Sequence, residues 1–568
     1  MKTIKTDVAV IGGGPGGSTL GAFLRKHSPD LKVSIFEREV FPRDHVGESQ
    51  LPFVCKILAE LGVWDRVEAA GFPIKVGATY RWGKGNELWD FDFLPAKKLV
   101  DETRPAQYQG QRTYTAFQVD RAIYDKILID YAQELGCNVQ FGTQVQKVLR
   151  DSDRVVGLQL EGGTVVEADY YVDASGHAGI LRRAMDVPIE VPTSLQNIAI
   201  WDYWHNADWA DHIGIGGTRI QILSLGYGWI WFIPLGPSRT SIGFVCPAEY
   251  YKKSGITVQQ LYENALASEP RIQDLIRNAT CEKATKTTKD WSFLAGRMSG
   301  ENWLLVGEAM GFADPILSAG LTLTHASARE LAFLILEEMR GGDKEWLRQQ
   351  YCAKNEKRLR QHIRFADYWY RANAHFSELK EFTSQIARDA GLELSAERAF
   401  QWLGTGGFVD DDLNSAGIGY CRMDHLHQLS QRFSEEATTS AVDGKSMFIL
   451  KIHGSEVVKM ARFEEGRVQA VEFLSRDGKQ VPLDGLFGLV IQALAHSTRI
   501  DEIVEFIRTT CQKRQLHFDE KGPTRVLECL EALIRDGWVK AKSIESFPTV
   551  KYDTPFESSV IRSRTAAS

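Results

Sequence analysis

The 568-residue chain lacks a membrane-spanning signal, paired cysteines and a basic surplus. No stretch of about 18 or more uncharged apolar residues occurs, so no transmembrane helix is expected. The eight cysteines stand apart, at positions 55, 137, 246, 281, 352, 421, 511 and 529. None forms a Cys-x-x-Cys pair, which argues against both a zinc site and a disulfide framework. The opening "MKTIKTDVAVIGGGPGG" runs from a short apolar stretch straight into glycines, without the cleavage pattern of a secretory signal. Together these features lead us to expect a cytoplasmic protein. Lys and Arg number 67 against 74 Asp and Glu, giving a net charge of −7, so a nucleic-acid-binding surface over the whole molecule is not expected. No internal repeat and no strong low-complexity tract is present.

What remains is an ordinary folded composition, 43% hydrophobic and 10% aromatic, long enough for about three to four domains. The most specific stretch is "DVAVIGGGPGGSTLGAFLRKH". Residues 7–11 read as a buried strand, and Gly12, Gly14 and Gly17 form G-x-G-x-x-G at the turn into a helix. The first glycine permits the tight turn, the second lets backbone approach a pyrophosphate, and the third lets helix and strand pack closely. The helix N-terminus adds N–H donors and a partial positive charge. A second apolar strand, "KVSIFER", ends in Glu37, 20 residues after Gly17, where a carboxylate can accept from the ribose hydroxyls of an adenosine. The glycines at 214, 216 and 217 lack a following helical pattern, so no second dinucleotide unit is expected.

Another stretch is unusual in having no polar side chain at all. In "GWIWFIP", residues 228–234, a period of two places Trp229, Trp231 and Ile233 on one face and Ile230 and Phe232 on the other. Both faces are apolar, so the pattern predicts a strand covered on both sides, ended by Pro234.

Several further segments resemble one flavoprotein family. "FPRDHVGES", residues 41–49, is similar to the Arg-x-x-x-Gly-Glu-Ser signature of FAD-binding proteins that include flavin-dependent halogenases, geranylgeranyl reductases and aromatic hydroxylases. "QVDRAIYDKIL" from Gln118, "YVDASG" at 171–176 and "WLLVGEAMGFADPILSAGLTLT" at 303–324 resemble that family's later FAD elements, in the right order. The resemblance covers roughly residues 5–335. It implies FAD as cofactor, with Arg43, Gly47, Ser49, Gln118, Arg121, Glu308 and Asp314 among its contacts. Glu308 stands where the family usually has aspartate.

Within this family Trp-x-Trp-x-Ile-Pro is similar to the motif that marks the flavin-dependent halogenases. The resemblance implies that Trp229 and Trp231 wall the substrate from the flavin, so that only halide meets the oxidant. It also implies that Lys75, in "IKVGATYRWG", controls the hypohalous acid formed, as a catalytic residue. A lysine buried between Ile74 and Val76 would have a depressed pKa and a reactive neutral fraction. Ser318, Gly320 and Leu321 would supply N–H donors to the halide, chloride or bromide. Leu317 stands where members acting on free tryptophan have glutamate. The resemblance therefore implies a phenolic or pyrrolic substrate, free or carried on an acyl or peptidyl carrier protein. A separate NAD(P)H-dependent flavin reductase would reduce the FAD.

The resemblance sets the architecture expected up to about residue 335, and periodicity and turn residues set it beyond. This is an α/β (α+β) fold with a Rossmann-like FAD-binding domain, residues 1–335, interleaved with an antiparallel substrate sheet at about 75–115 and 190–290. Helical periodicity over 325–400 and a glycine-rich, then acidic, boundary loop at 402–412 give a helical region at 336–415, with Phe365, Tyr368, Trp369, Tyr370 and Phe376 across the substrate mouth or in an interdomain core. A winged-helix-like α+β module spans 446–541. Its helix "DEIVEFIRTTCQKRQ" mixes both charge signs, which favours an interaction or lid role over DNA binding. The small, polar residues 542–568 read as a disordered tail. An aromatic monooxygenase, a geranylgeranyl-reductase-like flavoprotein and a non-catalytic flavoprotein scaffold remain alternatives.

Overall fold

The computed structural model describes residues 2–82, 87–94, 96–192, 196–371, 440–477, 479–520, 522–551 and 561–563. The expected loop at 402–412 and Phe376 lie outside these residues, as do the side chains of Phe365, Tyr368 and Trp369. Among the described residues no helix is long and apolar enough to cross a membrane. The described residues fall into two compact units.

The first unit begins with the strand Thr3–Ile11, whose inner residues Val8, Ala9 and Val10 are fully buried. Burial on both faces is what a parallel strand between helix layers requires. Val33–Phe36 and Val165–Asp173 flank it in parallel, and Trp303–Leu305 pairs parallel to the latter. The sheet runs 138–140, 33–36, 3–11, 165–173, 154–160, 145–151. Helix Pro15–His27 leaves the glycine turn with Pro15 in its first turn and Arg25, Lys26 and His27 in its last, the charge order its dipole favours. Helix Gly320–Met339 lies beside it, tied by the 2.9 Å hydrogen bond between Thr19 and His325.

A second sheet of this unit carries the tryptophans. Its order is 280–281, 196–205, 239–247, 228–234, 217–225, 74–81, 89–92, 561–563. Gly228–Pro234 is thus an interior strand, hydrogen-bonded on both edges. Its Ile230 and Phe232 face enters a core with Ile242, Phe244, Leu261, Tyr262, Leu266 and Ile272. The last four come from helices Val258–Ala267 and Pro270–Leu275, the first started by a Thr257–Gln260 capping box. A Phe232→Ala change there would cost about 3–5 kcal/mol. The helices account for one apolar face of the strand; the tryptophans occupy the other.

The periodicity from 325 onward proves to be two helices, Gly320–Met339 and Lys344–Arg371, parted at Gly341, whose φ of +89° suits only glycine. Three residues of the tail differ from its reading. Ile561–Ser563 adds a strand antiparallel to Trp89–Asp92, because a free sheet edge accepts any extended segment that reaches it.

The second unit packs helices Gly485–His496, Ile500–Lys513 and Gly522–Arg535 against the antiparallel pair Met447–Leu450 and Val539–Lys542. Phe448, Val490, Ile503, Ile507, Leu530 and Trp538 fill its core. Asp536 and Gly537 make the turn from the last helix into its strand.

Candidate active site

The glycine turn is built for a close backbone approach. Gly12 has φ +101°, and a side chain there would lie 2.5 Å from the Ala174 carbonyl oxygen. A methyl at Gly17 would sit 2.0 Å from Gly12 O, so this glycine lets the helix close on the turn. Gly14 is different: a methyl there would meet only the Arg43 guanidinium, at 3.3 Å. One open side of a helix N-terminus therefore faces a cation, a pairing suited to a pyrophosphate. Glu37, buried at the end of its strand, accepts from Gly13 N–H at 2.6 Å and Glu39 N–H at 2.9 Å.

The segment 41–49 is folded down by Arg121. That guanidinium forks onto Asp125 at 2.7 and 2.9 Å and donates to the Val46 and Gly47 carbonyls at 2.9 and 3.0 Å. Gly47, at φ +94°, leaves room for it. Arg121 thus holds the loop in place. Ser49 and Gln118 face each other across a β-bridge, and both are buried. The Ser49 hydroxyl, both polar atoms of the Gln118 amide and the Thr322 hydroxyl are buried without hydrogen bonds. Orphaned polar atoms carry a cost of about 1–3 kcal/mol each. Carried by the 41–49 loop, its bridge partner and the Gly320 helix start, they fit FAD, which brings polar edges to satisfy them. Glu308 sits between Gly176 and Gly320, its carboxylate oxygens 3.9 Å from where either would carry a methyl. Burial raises its pKa, and the Arg121 charge pulls it back.

The "ILSAGLTLT" turn leads into helix Gly320–Met339. Ser318 adopts φ +56°, Asp314 accepts from Ile316 N–H at 2.8 Å, and no side chain caps the helix start. Gly320 and Leu321 therefore open that helix with uncapped N–H groups, beside the buried Thr322 hydroxyl.

Opposite lies the tryptophan face. Trp229 is 2% and Trp231 6% exposed, their rings 6.0 Å apart and tilted by 53°. Trp231 lies across Gly243 of the next strand, where a methyl would stand 2.1 Å from its ring, and donates to the Ser241 hydroxyl at 3.1 Å. Trp229 donates to the Tyr370 hydroxyl at 2.8 Å. Strand pairing places Trp231 beside Ile222 and, beyond it, Tyr80.

Lys75 reaches this face through an irregularity. A register shift pairs Lys75 with Thr218 but Gly77 with Arg219, leaving Val76 as the extra residue. Thr218 has the parity of Ile220 and Ile222, so the bulge turns Lys75 toward the tryptophan side. The side chain is 2% exposed, with its amine 5.6 Å from the centre of the Phe93 ring. Burial alone pushes its pKa down from 10.5 to about 7.

Two residues that the sequence patterns did not single out belong here. Glu48, inside the Gly-Glu-Ser triplet, is buried and pushed up to about 7, against the pull of the Ser241 and Tyr203 hydroxyls and of Arg121 and Arg239. Trp82 meets the Trp229 ring edge-on at 6.4 Å. Among the described residues no cluster of His, Cys, Asp and Glu could hold a metal ion.

Known proteins are similar to this chain. A family model described as tryptophan halogenase matches residues 7–111 and 94–379. A tryptophan 2-halogenase of Chondromyces crocatus is 34% identical over 57% of the chain, and the match spans 59% of that relative's length. A 1H-pyrrole-2-carbonyl peptidyl-carrier-protein chlorinase of Pseudomonas fluorescens is 31% identical over 59% of the chain and 77% of the relative. Among solved structures, the flavin-dependent halogenase CmlS shares the fold, with TM-score 0.71 and 23% identity over 96% of this chain and 98% of its own. The myxobacterial chondrochloren halogenase CndH, a variant of FAD-dependent halogenases, gives TM-score 0.58 and 27% identity over 76% of this chain and 97% of its own. The chain belongs to the tryptophan halogenase family of flavin-dependent halogenases.

Proposed function

We propose that the protein is an FAD-dependent halogenase acting on an electron-rich phenolic or pyrrolic ring. The observation that carries this is the shared face: a bulge brings a buried lysine to the side of the sheet that bears the two buried tryptophans. When bound, reduced FAD with O2 supplies the two-electron oxidant that turns halide into hypohalous acid. Gly12, Gly14 and Gly17 with Glu37 and Arg43 would hold the nucleotide end, and Ser49, Gln118 and Asp314 would meet the rest of the cofactor. Glu308 stands between the flavin-closing turn and the Gly320 helix start. Ser318, Gly320 and Leu321 offer N–H donors to chloride or bromide.

Trp229 and Trp231 exclude the aromatic substrate from the oxidant, which favours halogenation over direct hydroxylation. With a pKa of about 7, Lys75 is present at neutral pH both as ammonium and as amine. The ammonium donates a hydrogen bond to the hypohalous oxygen; the amine can take the halogen as a haloamine with loss of water. Either way the ring gains halogen, loses one proton, and the oxygen leaves as water.

The ring class is supported by Leu317, since an activated ring needs no neighbouring carboxylate. The C2 position named for the Chondromyces relative lies in the five-membered, pyrrole part of indole. The Pseudomonas relative is named for a pyrrole on a carrier protein, so delivery on an acyl or peptidyl carrier belongs to the proposal. A separate flavin reductase completes it, because one G-x-G-x-x-G turn serves one dinucleotide. The test supplies protein, FAD, an NADH-driven reductase, O2 and bromide to free and carrier-bound phenols, pyrroles and indoles. A brominated product supports halogenation. Hydroxylated product formed without halide would instead make the protein a monooxygenase.

A further inference from the structure

A buried indole N–H must find an acceptor, and the two wall tryptophans find theirs in different ways. Trp231 donates to Ser241 on the adjoining strand, so the sheet itself sets its angle. Trp229 donates to Tyr370, 141 residues away on helix Lys344–Arg371. The Tyr370 hydroxyl in turn donates to Asp314 Oδ1 and accepts from Asn197 Nδ2, both at 3.4 Å. Its ring meets Trp82 edge-on at 5.8 Å, and Trp82 meets Trp229 edge-on, which closes an aromatic triangle. The side chain is 4% exposed.

One hydroxyl therefore joins the tryptophan strand, the strand Gln196–His205 and the Asp314 turn that precedes the Gly320 helix. We propose that Tyr370 is a positioning residue: it fixes the Trp229 indole and so keeps the wall closed between oxidant and substrate. This rests on the halogenase reading above. Half of the wall is held by the sheet, and the other half by a helix outside it. Without the hydroxyl the indole N–H loses its buried acceptor, the ring gains freedom to turn, and oxidant escapes.

Tyr370→Phe removes the hydroxyl and keeps the ring against Trp82. With bromide and a substrate that the wild type brominates, the readouts are brominated product per O2 consumed and hydrogen peroxide released. Tyr370→Phe should still bind FAD but lower product per O2 about fivefold, the factor one neutral buried hydrogen bond is worth, with matching peroxide. In a Trp229→Phe background the same change should do nothing further. Independent, additive losses would overturn the proposal, as would an unchanged product yield in Tyr370→Phe.

Fluorine NMR of protein labelled with fluorotryptophan reads the contact without turnover. The Trp229 signal, assigned by its loss in Trp229→Phe, should move in Tyr370→Phe while the Trp231 signal stays. An unmoved Trp229 signal would sink the idea. If the wild type brominates nothing, the halogenase reading fails, and the fluorine signal still decides whether Tyr370 holds Trp229.

Discussion

Replacing Lys75 by methionine should make the protein more stable and abolish its chemistry. In the unfolded chain the amine keeps its proton up to about pH 10.5, but in the folded protein burial lowers that to about 7. Between these values the unfolded state binds more protons, so stability rises with pH across that window, and the full penalty applies below pH 7. The gap of about 3.5 pH units, at about 1.4 kcal/mol each, sets a ceiling of about 5 kcal/mol. Methionine keeps a comparable apolar stem against Phe93 and carries no charge. Urea unfolding followed by tryptophan fluorescence at about pH 6, 8 and 10 measures the difference. Lys75→Met should exceed the wild type by several kcal/mol, up to about 5, at the lowest pH, and the gain should shrink as pH rises toward 10. Halogenation should fall to background throughout. A variant less stable at about pH 6, or a gap that does not change with pH, would refute the burial of an uncompensated amine.

Glu48 should show the opposite window. Its folded carboxyl keeps a proton between about 4.5 and 7 that the unfolded chain has lost, so its effect is a loss of stability as pH rises through that range. Glu48→Gln should therefore gain up to about 3 kcal/mol above pH 7 and little at about pH 4, read by the same unfolding curves. Gly243→Ala would drive a methyl into the Trp231 ring, now 2.1 Å from that position. It should cost about 1–3 kcal/mol and release more peroxide per O2, measured by thermal unfolding and a peroxide assay.

What the sequence disclosed and what it hid follow the range of the interactions. Gly12, Gly14, Gly17 and Glu37 act over one turn and two adjoining strands, so spacing alone locates them. The two faces of 228–234 are legible because strand alternation is local. Lys75 is harder, since plain alternation would put it on the face away from Val76 and Tyr80. Only the bulge at Val76, set by pairing with residues 217–225, brings it to the tryptophans. The grip of Arg121 on Asp125 and on the 46–47 carbonyls is hidden in the sequence, because those partners appear only once the loop is folded. Tyr370 could be marked as an aromatic on a helix and no more, because its acceptor role depends on an indole 141 residues away. The strand at 561–563 is invisible in so polar a tail, since backbone edge pairing needs no side-chain pattern.

Bromide transfer to a ring tests the central claim most directly. Purified protein, FAD, a flavin reductase with NADH, O2 and bromide would be given phenols, pyrroles and indoles, free and carrier-bound, beside Lys75→Ala and a halide-free control. The proposed chemistry predicts a product with the bromine isotope doublet that disappears in both controls. A product heavier by one oxygen and indifferent to halide would contradict it, and would leave Trp229 and Trp231 as packing in an interior strand.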